Sequence, residues 1–540
     1  MSGYNINGLA IPLFMILMLG EYLLLRVQGR SLHRFNDSVN SLSMGILLLL
    51  SDALLKAYTF AVFIWLWDNH RLFDFAVGDP LTWVVFFFGV DFCYYWFHRI
   101  AHEINILWGA HVGHHQGEEY NLTTALRQSA FQYGFSWVFY LPLALLGCPP
   151  AVFVIQFIVL KMYQFWLHTQ SINRIPLIEG IMSTPSSHRV HHAKNPIYID
   201  RNYGGTLVIW DRVFGTWQPE LASTPCHYGT TRPLDTLNPI RANLQHWSML
   251  ARDTLTTARW QDKLSLWFRP TGWRPEDCRV LDANVPGMQK HGSAERPKYD
   301  PQSTPGKKAY VAISMAVTFV VCTLFIFLSP QLSSMQLVAG VLLTVSGLVI
   351  ANDLLENRRR YWWTELVRMP LMLWFAVSLW TLPVTTRIVD TIIIERSPAQ
   401  TLAYASSVNR WPEWHPQSTQ IDVTSLGPLK AGDRFNEVID TPMGANRVSW
   451  EVINYSEGND WRVLGNNLDN EVRIDLTYRV TSIAPGISEF ERTLAYTMPN
   501  FPLVAANALH FKAAIEQKSE QALQQLKTAI EGDEYKGGLD

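Results

Sequence analysis

H-R-I-A-H (His98 and His102), H-V-G-H-H (His111, His114 and His115) and H-R-V-H-H (His188, His191 and His192) each lie beside a long apolar stretch. On a helix, residues three or four apart project from one face, so each cluster can aim two or three imidazoles at a single point. With His168 in W-L-H-T-Q, nine of the sixteen histidines fall in this segment, more than one mononuclear site can use. Two metal ions are therefore expected. Imidazole suits zinc, copper, iron and nickel, whereas calcium and magnesium need oxygen ligands. A structural zinc site would draw on cysteine, and Cys93, Cys148, Cys226, Cys278 and Cys322 are scattered, with no C-x-x-C. Iron is the expected metal. The isolated His33, His70, His227, His246, His291, His415 and His510 read as ordinary polar groups.

Composition points to a membrane protein. Charged residues make up 17% and apolar residues 48% of the 540 residues, against roughly 25% charged in soluble domains. A net charge of −2 argues against a nucleic-acid partner. Apolar runs near spanning length occur at about 8–25, 42–67, 81–97, 130–147, 151–168, 309–328, 335–352 and 367–383. The first run has no basic segment before it and no cleavage site, and reads as an anchor. Arg26, Arg30 and Arg34 follow it, which by the positive-inside rule marks that end as cytoplasmic. One crossing per run then brings His98 back to the cytoplasmic face. A hairpin of the fourth and fifth runs returns His168 there, beside His188–His192.

The segments D-F-C-Y-Y-W-F-H-R-I-A-H-E, H-H-Q-G-E-E-Y-N-L-T-T-A-L-R-Q-S, Y-Q-F-W-L-H-T, T-P-S-S-H-R-V-H-H-A-K-N and D-R-N-Y-G-G-T-L-V-I-W-D-R-V-F-G-T-W lie between Asp91 and Trp217. This stretch resembles the membrane fatty acid hydroxylase / sterol desaturase superfamily, and within it the alkylglycerol monooxygenase branch. The resemblance implies an α-helical integral membrane domain holding a non-haem diiron centre. Its ligands would be His98, His102, His111, His114, His115, His188, His191 and His192, with His168 as a ninth candidate. It also implies O2 as co-substrate, a glyceryl ether lipid as substrate, and tetrahydrobiopterin or another external electron donor. Fatty acyl or sterol hydroxylation and desaturation remain open within the superfamily. A lipid-binding or sensing protein that holds metal without turnover is the reading outside it.

Metal-bound imidazoles usually donate their second ring N–H to a carboxylate or carbonyl. Asp91, two helical turns before His98 inside an apolar run, is expected to serve in that way. Glu103, next to His102, is a candidate ligand or base, and Glu118 and Glu119 share the ambiguity. Arg127 and Gln128 open the fourth run, where an arginine can reach toward head groups. Asn202, Tyr203, Gly204, Trp210 and Asp211 read as a packed turn closing the site.

The expected domains are a hydroxylase-like membrane domain over residues 1–281, a Pro/Gly/Lys-rich linker over 282–308 and accessory membrane helices over 309–386. E-N-R-R-R at Glu356–Arg360 marks a cytoplasmic end among them. Asn446–Tyr455, Glu471–Ser482 and Ile487–Tyr496 then alternate with period two, and Phe501–Glu531 carries apolar residues at helical spacing. With I-I-I-E-R-S-P-A-Q, R-W-P-E-W-H-P and L-K-A-G-D-R-F, residues 387–535 resemble the START-like / polyketide cyclase (SRPBCC) superfamily. This implies an α+β helix-grip domain with an apolar ligand cavity. Fusion to a lipid-modifying domain suggests lipid delivery or removal.

Overall fold

The computed structural model describes residues 6–283, 297–358, 361–423, 427–442 and 444–532. Arg359, Arg360 and residues 284–296 of the expected linker, His291 among them, lie outside the described residues. The chain divides into two compact units, Met1–Leu371 and Met372–Asp540.

The first unit is helical. Four of its helices, Phe35–His70, Pro80–Glu103, Pro305–Leu328 and Ser334–Leu355, are long and apolar enough to cross a membrane. Side-chain caps set the starts at Pro80 and Pro305. Asp79 accepts from the Leu81 amide ahead of a proline at the first helical position, and Thr304 does the same for Lys307. Leu54, Tyr58, Trp65, Val84, Phe88, Ile313 and Phe327 face outward, a surface suited to lipid rather than water. The protein is an integral membrane protein.

The spans differ in detail from the apolar runs. The run at 42–67 lies in one unbroken helix of 36 residues, about 54 Å long at 1.5 Å per residue. The run at 130–147 does not form one helix of spanning length. It breaks into Gln132–Ser136, a 3-10 turn at Trp137–Tyr140, and Leu141–Leu146, where Pro142 lacks an N–H and Gly147 turns at φ 97°. The run at 151–168 becomes a helix of 16 residues, Pro150–Phe165, about 24 Å long and below the roughly 30 Å of a hydrocarbon core. The described end of the linker is packed against the helical unit: Lys298 Nζ lies 2.7 Å from Glu119, and Asn36 Nδ2 donates to Asp300 at 2.7 Å.

The second unit is an antiparallel sheet of β1 (Val384–Ile394), β2 (Ser418–Asp422), β3 (Arg434–Thr441), β4 (Gly444–Ser456), β5 (Asp460–Asn467), β6 (Arg473–Ala484) and β7 (Ile487–Met498). Their order is β1-β7-β6-β5-β4-β3-β2. The expected strands are parts of β4, β6 and β7. Burial alternates along β5 and β7, so one face presents Trp450, Trp461, Tyr478 and Phe490 to a core. The helix Lys512–Glu531 closes that core with Ala522, Leu523, Leu526 and Ile530, one stripe at helical period. This is the helix-grip arrangement.

Candidate metal centre

The end of one long helix, two short helices and one loop position deliver the histidines. The cytoplasm-expected end of Pro80–Glu103 carries His98 and His102 one helical turn apart. His111 precedes a single turn, Val112–His115, that carries His114 and His115. The third cluster occupies Pro185–His192, which begins with a reciprocal capping box: the Ser187 amide donates to Thr184 Oγ1, and the Thr184 amide to Ser187 Oγ. His168 sits just beyond Pro150–Phe165.

These nine imidazoles are all buried and sort into two groups. His98, His102, His111, His115 and His191 form one; His114, His168, His188 and His192 form the other, with candidate ligand atoms in each group within 4.8 Å of one another. The Nε2 atoms stand 3.0 Å apart for His98–His111 and 3.1 Å for His102–His115. In the second group they stand 3.2 Å apart for His114–His168 and 3.1 Å for His168–His188. Two nitrogens each about 2.1 Å from a common ion are about 3.0 Å apart at a 90° angle and about 3.4 Å apart at the tetrahedral angle. The observed spacings are short enough for the rings of each group to reach a common ion.

Hydrogen bonds fix which nitrogen faces inward. His98 Nδ1 contacts the Tyr203 carbonyl at 2.8 Å, His114 Nδ1 the Arg127 carbonyl at 2.7 Å, His168 Nδ1 the Gln164 carbonyl at 3.0 Å, and His191 Nδ1 the Arg201 carbonyl at 3.0 Å. Each ring thus keeps its proton on Nδ1 and presents the Nε2 lone pair to the centre. The Nε2 atoms of His191 and His192 are buried with no hydrogen-bond partner among the described residues, which in protein interiors calls for another occupant. Burial, reinforced by neighbouring histidines, holds His111, His115, His188 and His192 well below the usual imidazole range. Burial likewise takes His191 down to about 4. The rings are neutral at physiological pH, the form that binds metal. These histidines fit iron.

The other expected site residues sort differently. Asp91 accepts from the Thr206 amide at 2.7 Å, the Leu207 amide at 3.2 Å and the Trp210 indole at 3.0 Å. Its bonds go to the loop carrying Tyr203 and, among the described residues, none to an imidazole, so its link to His98 runs through that loop. Asp211 holds the same loop, accepting from the amides of Tyr203 and Gly204. Asn202 ties it to Ser187 and Gln218. Glu103 is paired with Arg99 at 2.9 Å, its side chain 40% exposed, outside both histidine groups. Glu118 and Glu119 both pair with Arg34. Arg127 does not reach for head groups: it is buried, donating to the Gly113 carbonyl and to Asn40. Sequence reading passed over Gln132, which lies 3.4 Å from His111 Nδ1, and the carbonyls of Tyr203, Arg201 and Gln164. Every residue has a carbonyl, so nothing in the side-chain pattern marks those that serve.

A cavity of about 670 Å³ runs to these groups within the helical unit. His111, His114, His168 and His188 form one end; Leu42, Ile46, Leu49, Phe165, Met315 and Phe319 line the rest. A volume of this size lies in the range of ligand sites.

The fatty acid hydroxylase family matches residues 83–216, and the family described as polyketide cyclase / dehydrase and lipid transport matches residues 385–531. An alkylglycerol monooxygenase of Xenopus tropicalis is 45% identical over 271 residues, 50% of this chain and 59% of that protein. The human alkylglycerol monooxygenase is 36% identical over 351 residues, 65% of this chain and 77% of that protein. That of Danio rerio is 38% identical over 354 residues, 64% of this chain and 78% of that protein.

Proposed function

We propose that this chain, which belongs to the alkylglycerol monooxygenase family, cleaves the ether bond of glyceryl ether lipids by hydroxylating the carbon next to the ether oxygen. The observation that carries the reading is the pair of histidine groups, five and four, at one end of an apolar cavity of about 670 Å³. His98, His102, His111, His115 and His191 would hold one iron, and His114, His168, His188 and His192 a second. When bound, the iron pair supplies O2 activation, which side chains alone cannot provide. One oxygen atom would enter the C–H bond and the other leave as water, an external reductant, a reduced pterin, supplying the two electrons and two protons. The resulting hemiacetal breaks its C–O bond to give a fatty aldehyde and a glycerol.

The chain's own residues bind, orient and exclude water. Leu42, Ile46, Leu49, Met315 and Phe319 take the alkyl chain out of contact with water. Gln128 lines the cavity beside His114 and is placed to hydrogen-bond a glycerol hydroxyl through its amide. Asp91 positions the Tyr203 loop and through it His98. The cytoplasmic face is the proposed side of the site. Arg34, in the basic segment after the first apolar run, pairs with Glu119 four residues beyond His115, so basic end and histidines lie together.

Membranes containing the chain should consume O2 and release fatty aldehyde from an alkylglycerol when a reduced pterin is supplied. Hydroxylation restricted to fatty acyl or sterol substrates, indifferent to pterin, would remove the ether-lipid reading.

A further inference from the structure

The C-terminal unit encloses a second cavity, of about 90 Å³, walled by Ile439, Trp450, Ile474, Leu476 and Leu494. One side is polar, and its chief feature is a buried cation. Arg492, 3% exposed, lines this cavity. It sits on β7, in register with Asp390 of β1 and Tyr478 of β6. Its Nη1 donates to Ser519 Oγ, which donates to Asp390, so the carboxylate is reached through a hydroxyl. Its Nη2 lies 3.0 Å from His415 Nε2. His415 passes the chain to Ser418 and Ser418 to Glu437, whose other oxygen accepts from the Trp450 indole at 2.8 Å. The Arg492 Nε–H is buried and finds no acceptor among the described residues.

An arginine cannot shed its proton, and a buried charge is costly unless an opposite charge meets it. Its neighbouring carboxylates stand behind other side chains, Asp390 behind Ser519 and Glu437 behind Ser418 and His415, and neither touches the guanidinium directly. His415 is held neutral by burial and by Arg492 itself, and burial pushes Glu437 up to about 7. We propose that this cavity binds an organic carboxylate, anchored by Arg492 and seated against the apolar wall. Guanidinium geometry matches a planar carboxylate with two parallel N–H donors. The cavity is smaller than the roughly 150 Å³ that admits benzene. The enclosed part of the ligand is therefore the carboxylate and its first few carbons, and a long chain would have to leave through the mouth.

Equilibrium dialysis of radiolabelled hexanoate against the full chain in lipid nanodiscs tests this, with hexan-1-ol as the neutral control. Saturable binding of hexanoate, at least tenfold tighter than of hexanol, is expected. Arg492→Met should weaken it by more than tenfold while β7 keeps its hydrogen-exchange protection. Ile474→Phe, which fills the apolar side and leaves Arg492 in place, should weaken it as well. Absence of saturable hexanoate binding, equal binding of hexanol, or full binding in a protected Arg492→Met protein would each overturn the assignment. Should Arg492→Met lose protection, unchanged binding in Ile474→Phe would overturn it instead. Iron content and alkylglycerol turnover are separate readouts and do not decide it.

Discussion

The Tyr203 carbonyl lies 2.8 Å from His98 Nδ1, and the loop that carries Tyr203 is held by the carboxylate of Asp91 seven residues before His98 on the same helix. A candidate ligand and Asp91 are thus joined by a detour through a distant loop. Asp91→Asn replaces an oxygen acceptor with a donor facing N–H groups. It should weaken iron retention about 10- to 100-fold, the usual scale for losing a group that orients a ligand. Iron content after graded chelation checks this, with membrane insertion unchanged.

Gly205 offers a second handle on the same loop. A Cβ there would meet Leu160 and Tyr94 at 2.7 Å and the Asp91 carboxylate at 3.1 Å. Gly205→Ala should push the loop from Asp91 and lower iron retention in the same direction. Normal iron content in Gly205→Ala would detach the loop from the metal centre.

Chain-length selection should follow the cavity wall. Met315 and Phe319 belong to Pro305–Leu328, outside the stretch that matches the fatty acid hydroxylase family, yet they line the cavity. Met315→Trp should lower kcat/KM for long-chain alkylglycerols about tenfold or more, in line with overpacking costs of about 1–3 kcal/mol. Short-chain substrates should be affected least. A uniform loss across chain lengths would place the substrate elsewhere.

Stability of the sheet domain should depend on pH through Glu437. Its carboxyl is pushed up to about 7 from an ordinary value of 4.5, with burial as the main cause. The folded form therefore keeps this proton to higher pH than the unfolded form. The contribution is full below about pH 4.5, is lost as pH rises through 7, and is flat above. Between pH 5 and 8, tryptic cleavage within residues 385–531 should accelerate in the native chain relative to Glu437→Gln. Parallel profiles in the two proteins would contradict the assignment.

The histidine spacings carried the helical unit because side chains alone specify a metal site. His98 and His102, one turn apart, had to share a face, and the structure places them in one group. Division of the nine rings into five and four was not legible, since His191 and His192 are adjacent in sequence yet serve different groups. The partner of Asp91 was hidden for a related reason: helical periodicity pointed toward His98, while the actual partners are amides more than a hundred residues away. In the sheet domain, alternation revealed β4, β6 and β7. β1 was obscured because V-T-T-R-I-V-D-T-I-I-I over Val384–Ile394 does not alternate cleanly in polarity, and nothing local announces its pairing with β7.

The central claim is a two-iron centre built by five and four histidines, and iron titration tests it most directly. The chain would be purified without metal and loaded anaerobically with ferrous iron, and alkylglycerol turnover followed against bound iron. The account predicts turnover that saturates at about two irons per chain and is abolished in both His191→Ala and His192→Ala, one ligand from each group. Saturation at one iron per chain, or full turnover in either variant, would contradict it.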